Sequence, residues 1–190
     1  MFASGGISYP QGSTGGSIGE SKGPQIVLGY NSFFDKRWGM GLVASGSTYK
    51  AEAVNHYSSP SGYNYSSSSP MGNWQKAQAY ISFSYTPILK KRWAIDIVQG
   101  FGLSFIKQPA YDYYNYAYYS IPSKTGWGTA YNLGLSGRVL LKNNIGLFLS
   151  ANFFHELGIP STIKSTNNNV GAFDTVDWGL GIVYSFKKID

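Results

Sequence analysis

The chain contains no cysteine, which excludes a disulfide framework, thiol catalysis and thiolate metal sites. It has two histidines, His56 and His155, with no ligand spacing around either, so no metal site or cofactor is expected. Charged residues make up 13% of the chain, against roughly 25% in ordinary soluble domains. That is too little charge to coat a water-facing β-surface. No run of about 18 apolar residues occurs, which excludes a transmembrane helix, and helical periodicity is almost absent. There is no phosphate-binding glycine loop and no nucleophile elbow. No basic stretch followed by an apolar run precedes FASGGISYP; an exported form of the chain would have had its leader removed.

What the 190 residues do contain is glycine (24), tyrosine (16) and phenylalanine (11). The formal charge is +6, yet eight of the fifteen basic residues fall in short turns or at the C-terminus: Lys36, Arg37, Lys90, Lys91, Arg92, Lys142, Lys187 and Lys188. They form no stripe along one face, so nucleic acid is not an expected partner. Segments 25–34, 38–52, 74–89, 93–109, 125–141, 145–159 and 173–186 alternate with a period of two, and a shorter one covers 2–9. Period two means strands with two unlike faces.

One face is bulky and apolar, as in Ile145, Leu147, Leu149, Ala151 and Phe153, or in Trp93 to Phe105 where Gln99 interrupts. The other is small or polar: Gly128, Ala130, Asn132, Gly134, Ser136 and Arg138. The small face would make a poor water-facing surface but suits the crowded lumen of an eight-strand barrel. The bulky face then meets lipid. Connections alternate between short (35–37, 90–92, 142–144) and long (10–23, 55–73, 112–124, 161–172), the pattern of bacterial barrels with periplasmic turns and extracellular loops. Pairing about Lys36, Lys91 and Asn143 puts apolar face against apolar face in each hairpin, as opposed residues of an antiparallel pair require. The expectation is an all-β, closed, antiparallel up-and-down transmembrane barrel of about eight strands, a single domain over 1–190.

Trp38 and Trp93 each follow a basic turn and, with Tyr85, Tyr184 and Phe186, are expected in an aromatic girdle at that surface. Trp74, Tyr111, Trp127 and Phe153 are candidates for the opposite girdle. Inside, Asp96 and Arg138 are expected to pair across adjacent strands, and Glu156 and Asp177 to lie opposite each other, neutralised by Lys76. Two neighbouring carboxylates are also a candidate cation or acid–base site. His155 is placed on the lipid side. His56 falls in a loop. The segments AYDYYNYAYYS and NHYSSPSGYNYSSSSP carry Tyr57, Tyr63, Tyr65, Tyr113, Tyr114, Tyr116, Tyr118 and Tyr119 among Ser, Asn and Gly, which is a binding-surface vocabulary; the alternative of equal weight is that these loops extend the strands beyond the membrane and pack on one another.

The last strand, WGLGIVYSF over Trp178–Phe186, resembles the C-terminal assembly signal of outer-membrane barrels, with Gly181, Tyr184 and Phe186 in the matching positions. Gly179 stands where that signal usually has a polar residue, and Lys187–Asp190 follow the phenylalanine. The whole chain is similar to the small-barrel superfamily that includes the OmpA membrane domain and OmpX, in a tyrosine- and asparagine-rich form of the Bacteroidetes type. The resemblance implies the bacterial outer membrane, outer-membrane lipids and lipopolysaccharide as surroundings, and the barrel-assembly machinery as a partner. The resemblance implies no reaction; the leading expectation is a structural or interaction role, with loops touching lipopolysaccharide, surface polymers or a partner protein, the alternatives being a minor ion channel and, further off, a lipid-modifying enzyme. Lipid deacylases of this membrane carry a His and a Ser two residues apart. Here Leu157 follows His155 at that spacing, so an enzyme is not expected.

Overall fold

The structure, a computed structural model, describes residues 1–11, 22–51, 54–58, 64–115, 117–141, 144–157 and 173–185, and among them there is no helix. The strands are β1 (Phe2–Gln11), β2 (Gly23–Phe33), β3 (Trp38–Lys50), β4 (Val54–Ser58), β5 (Asn64–Met71), β6 (Asn73–Leu89), β7 (Trp93–Gln108), β8 (Ala110–Asn115), β9 (Ala117–Ile121), β10 (Lys124–Leu140), β11 (Ile145–Leu157) and β12 (Phe173–Tyr184). Eight of them close into an antiparallel barrel in the order β1-β12-β11-β10-β7-β6-β3-β2.

Three hairpins are centred on Lys36, Lys91 and Asn143, as Phe33↔Gly39, Tyr85↔Ile97 and Leu140↔Gly146 show. A tight turn leaves little choice of register. Near the β6–β7 turn the register shifts between Tyr85 and Ile88. Pro87 lies in that bulge and has no N–H for the ladder. The neighbouring Thr86 N–H turns instead to the Arg37 carbonyl at 2.8 Å.

Alternation sorts the side chains. Ile26, Phe101 and Leu180 point outward and are 65%, 62% and 64% exposed. Inward-facing Glu156 and Phe154 are 0% and 1% exposed. An apolar exterior around a polar interior inverts the soluble pattern and requires hydrocarbon outside.

The lumen is filled in layers, read down β6. At the long-connection end Trp74 joins Tyr49, Ala51, Ile106 and Tyr111. Below lies the charged layer of Lys76. Next, Tyr80 and Phe154 pack edge to face with centroids 5.6 Å apart, beside Val43. Lowest are Ser84 and Thr86, with Asn31, Asp96 and Arg138. Gly100 makes room for the Tyr80 ring: a Cβ there would meet its Cδ2 at 2.6 Å.

Of the two readings open for the tyrosine-rich connections, the structure shows the extension of the strands. Much of 54–71 and 110–121 continues the hairpins as a second, four-stranded sheet, β4-β5-β8-β9. His56 accordingly sits in strand β4 rather than in a loop. Gly72, with φ of 123°, makes the corner between this sheet and the barrel strand β6, where a side chain would be strained.

Truncating a packed lumen aromatic should be felt by the whole barrel. Phe154→Ala is expected to lower unfolding free energy by about 3–5 kcal/mol, read from urea unfolding in detergent. A loss below about 1 kcal/mol would mean that the neighbours collapse into the space.

Candidate functional site

Three strands bring one charge network together beneath the long-connection end. Lys76 enters from β6, Glu156 from β11 and Asp177 from β12. Lys76 Nζ lies 3.6 Å from Glu156 Oε1 and 4.0 Å from Asp177 Oδ2, with all three side chains at most 2% exposed. It donates to Thr175 Oγ1 at 2.7 Å and stands 5.1 Å over the Phe154 ring.

Each carboxylate also has neutral donors. Glu156 accepts from Gln78 Nε2 at 2.8 Å and from Ser104 Oγ at 2.7 Å. Asp177 accepts from Ser8 Oγ and Gln25 Nε2. The Ser8 hydroxyl also lies 2.7 Å from the Tyr49 hydroxyl, to which Ser47 donates at 2.8 Å. Two buried carboxyl groups share one ammonium, and the surrounding neutral donors satisfy the oxygens that it does not reach.

The expected opposition of Glu156 and Asp177 is not observed. Asp177 faces Asn152 and Glu156 faces Phe173, because the long 158–172 connection fixes no register and β12 slides along β11. The Lys76 ammonium fills the space between the carboxylates. The neutral donors carry no charge signature, but Trp74, Lys76 and Gln78 share one strand face, and that parity was the signal available for Gln78.

Asp96 and Arg138 come together lower in the lumen. Asp96 faces Ser136 in register, so Arg138 reaches two residues along the strand. Its Nη2 donates to Asp96 Oδ1 at 3.3 Å, and Nε lies 3.1 Å from Oδ2 but outside hydrogen-bonding alignment. Thr86 Oγ1 donates to the same carboxylate at 2.6 Å. The guanidinium stacks 4.8 Å over Phe33.

On the outer wall Trp38, Trp93 and Tyr184 are exposed near the short turns, with Trp38 and Tyr85 rings 4.5 Å apart. Trp127 lies 4.9 Å from Phe105 at the opposite rim. Gly181 is closed over by the Ala3 carbonyl at 2.2 Å from where a Cβ would stand, so packing against β1 already demands glycine there. Phe186 lies outside the described residues.

Trp74 and Tyr111 do not belong to the outer girdle. Trp74 shares the inward parity of Lys76 and is 5% exposed, as is Tyr111, and its indole donates to the Tyr111 hydroxyl at 3.2 Å. Burial pushes the Tyr111 phenol above its ordinary value. His155 is on the outer wall, half-buried, and its Nδ1 lies 2.7 Å from Asp174 Oδ1, a partner that the sequence did not suggest. Among the described residues no cluster of metal-ligating side chains forms.

The second sheet assembles part of the tyrosine-rich surface. Tyr113↔Tyr119, Tyr114↔Tyr118 and Tyr57↔Tyr65 are register partners. On one face the Tyr114 and Tyr118 rings stand 4.7 Å apart. Two residues along, Ser120 Oγ donates to Asp112 Oδ1 at 2.6 Å. Tyr63 and Tyr116 lie outside the described residues.

Removing the shared cation should be worse than removing the whole network. Lys76→Met is expected to destabilise the barrel by about 3–5 kcal/mol. Adding Glu156→Gln and Asp177→Asn should recover part of that, measured by thermal unfolding in one detergent. A triple variant no more stable than Lys76→Met would show that the charges do not govern this layer. Arg138→Ala should also lower the unfolding temperature; an unchanged value would count against the Asp96 pair.

No protein-family model matches the sequence, and no curated protein matches it. Solved structures do resemble it. Neisserial surface protein A is similar over 97% of this chain and 96% of its own, at 10% identity and a TM-score of 0.58. The attachment invasion locus protein Ail of Yersinia pestis, solved with the heparin analogue sucrose octasulfate, is similar over 96% of this chain and 97% of its own, at 14% identity and a TM-score of 0.46. The translocator domain of the autotransporter NalP from Neisseria meningitidis is similar over 97% and 86%, at 12% identity and a TM-score of 0.43. The fold is one that this chain shares with small outer-membrane β-barrels.

Proposed function

We propose that this chain is an integral protein of the bacterial outer membrane whose barrel holds a tyrosine-rich binding sheet at the cell surface. The membrane part of this reading is supported by the apolar exterior and by the basic short turns, which suit the periplasmic side. The assembly machinery of that membrane would insert it, with Tyr184 and Gly181 within the signal that it reads.

The observation that carries the binding role is the exposed face on β8 and β9. Tyr114 and Tyr118 offer adjoining rings, inclined at 49° to each other, beside Asp112 and Ser120, on a paired sheet rather than a free loop. Rings stack on the C–H faces of sugars while carboxylates and hydroxyls accept and donate to sugar hydroxyls, so the ligand class is saccharide: a surface polymer or the sugar part of lipopolysaccharide. Lys50 and Lys107, on the outward faces of β3 and β7 near this rim, suit the phosphates of the same lipopolysaccharide.

Neither transport nor catalysis is part of this reading. Side chains that cross the lumen around Lys76 and Phe154 are buried at that level, which speaks against an open pore, and His155 with Asp174 has no serine two residues along the strand.

Purified protein in nanodiscs should bind lipopolysaccharide or capsular polysaccharide in a calorimeter. Tyr114→Ala and Tyr118→Ala should each weaken that binding about threefold to tenfold. Equal affinity in both variants would remove the sheet from the function. In planar bilayers the wild type should show no unitary conductance; regular steps would revive the channel.

A further inference from the structure

Gln99 stands on the outward face of β7, six residues from Trp93 and six from Phe105, the ring residues near either end of the strand. It is the one carboxamide at mid-height among the described outward positions of the barrel. The side chain is exposed, and the single hydrogen bond it makes among the described residues runs from Nε2 to the Tyr131 hydroxyl at 2.8 Å. A primary amide offers two N–H donors and a carbonyl, so a donor and the acceptor face outward. In hydrocarbon an unmatched amide is costly. Acyl chains have nothing to offer it, because lipid esters and headgroups lie at the interface rather than at mid-depth.

The groups that answer it must therefore come from protein, and a second carboxamide is its own complement: each N–H meets the other's carbonyl. Two copies inserted alike carry Gln99 at the same depth, and a twofold axis along the membrane normal brings the pair face to face. We propose that the wall centred on β7, flanked by β6 and β10, is a homodimer interface, closed by reciprocal hydrogen bonds between the two Gln99 carboxamides within the membrane. The inference rests on the membrane reading above.

Because the chain has no cysteine, one introduced thiol reports without background. Gln99→Cys and Leu28→Cys, the latter on the opposite wall in β2, are expressed with an export leader, and membranes are oxidised with a lipid-soluble copper complex. Gln99→Cys should cross-link into a species of twice the chain's mass, and Leu28→Cys should remain single. Gln99→Leu in nanodiscs should lose the dimer that the wild type forms while keeping its unfolding temperature. Membrane-embedded protein that gives no Gln99→Cys dimer beyond the Leu28→Cys control overturns the interface. So does a cross-link to a protein of another mass. Protein found in solution without detergent overturns the membrane reading instead.

Discussion

A strand in hydrocarbon must find a partner for every backbone N–H and C=O in its neighbours, since lipid supplies none. An eight-stranded sheet meets that demand on both edges only by pairing its last strand with its first. Here β12 runs along β1 from Phe2↔Val183 to Gln11↔Asp174, and the α-amino group of Met1 adds a bond to the Tyr184 carbonyl at 2.9 Å. Closure sets the diameter, and the diameter sets the interior. Eight strands leave space only for small side chains or for a few large ones meeting glycine. The pairing of Tyr80 with Gly100 is that rule at one position, and the contact of Gly181 with Ala3 on the closing seam is the same rule at another.

Closure also explains why a barrel with an apolar outside keeps charges inside. The Lys76 layer of the lumen is buried from lipid and solvent alike, so its polar groups must satisfy each other. Lys76, Glu156 and Asp177 do this with Ser8, Gln25, Gln78, Ser104 and Thr175, the eight residues together drawn from six strands. A network that crosses the lumen ties distant strands together, something that ladder hydrogen bonds between neighbours cannot do. A buried ion pair is no guarantee of net stability over a well-packed apolar set. What it adds is specificity: the donors reach the carboxylates in one register of the barrel and not after a slide of two residues.

How much of this was legible depended on local constraints. Short turns fix register, so the pairings about Lys36 and Asn143 could be read from face matching alone, whereas the pairing about Lys91 holds only beyond a bulge, since next to the turn Leu89 pairs with Ala94. The connection before β12 fixes nothing, and Glu156 and Asp177, expected opposite each other, are displaced by four residues. Trp74 shows a different failure. Aromatic type suggested the girdle, while its parity with Lys76 already placed it in the lumen. Parity is geometry and residue type is only tendency, so parity should have decided. That the tyrosine-rich loops extend the strands was one of two open readings, but their pairing was not legible, because the serine-rich 64–69 stretch carries no alternation of polarity to set a face or a register. The neutral donors of the network were hidden because serine and threonine look alike whether they fill space or bind a carboxylate.

The second sheet changes how the tyrosines should be understood. Strand β5 leads into β6 through Gly72, and β8 follows β7 after Pro109. β5 and β8 pair with each other as β6 and β7 do, so the surface sheet continues the pairing of the barrel wall. A ring on a free loop must be ordered when it binds, at roughly 0.5–1.5 kcal/mol for each immobilised side chain plus the backbone cost. Rings on paired strands anchored in a membrane have met most of the backbone cost during folding. The contact of the Tyr114 ring with the Tyr118 ring restricts the side chains as well. A flat, repeating ligand presented by a neighbouring surface binds weakly at each contact, and a preordered face is the form in which weak contacts add up. On that argument the barrel does more than anchor the chain: its register, carried upward through β6 and β7, orders the face that the binding reading requires.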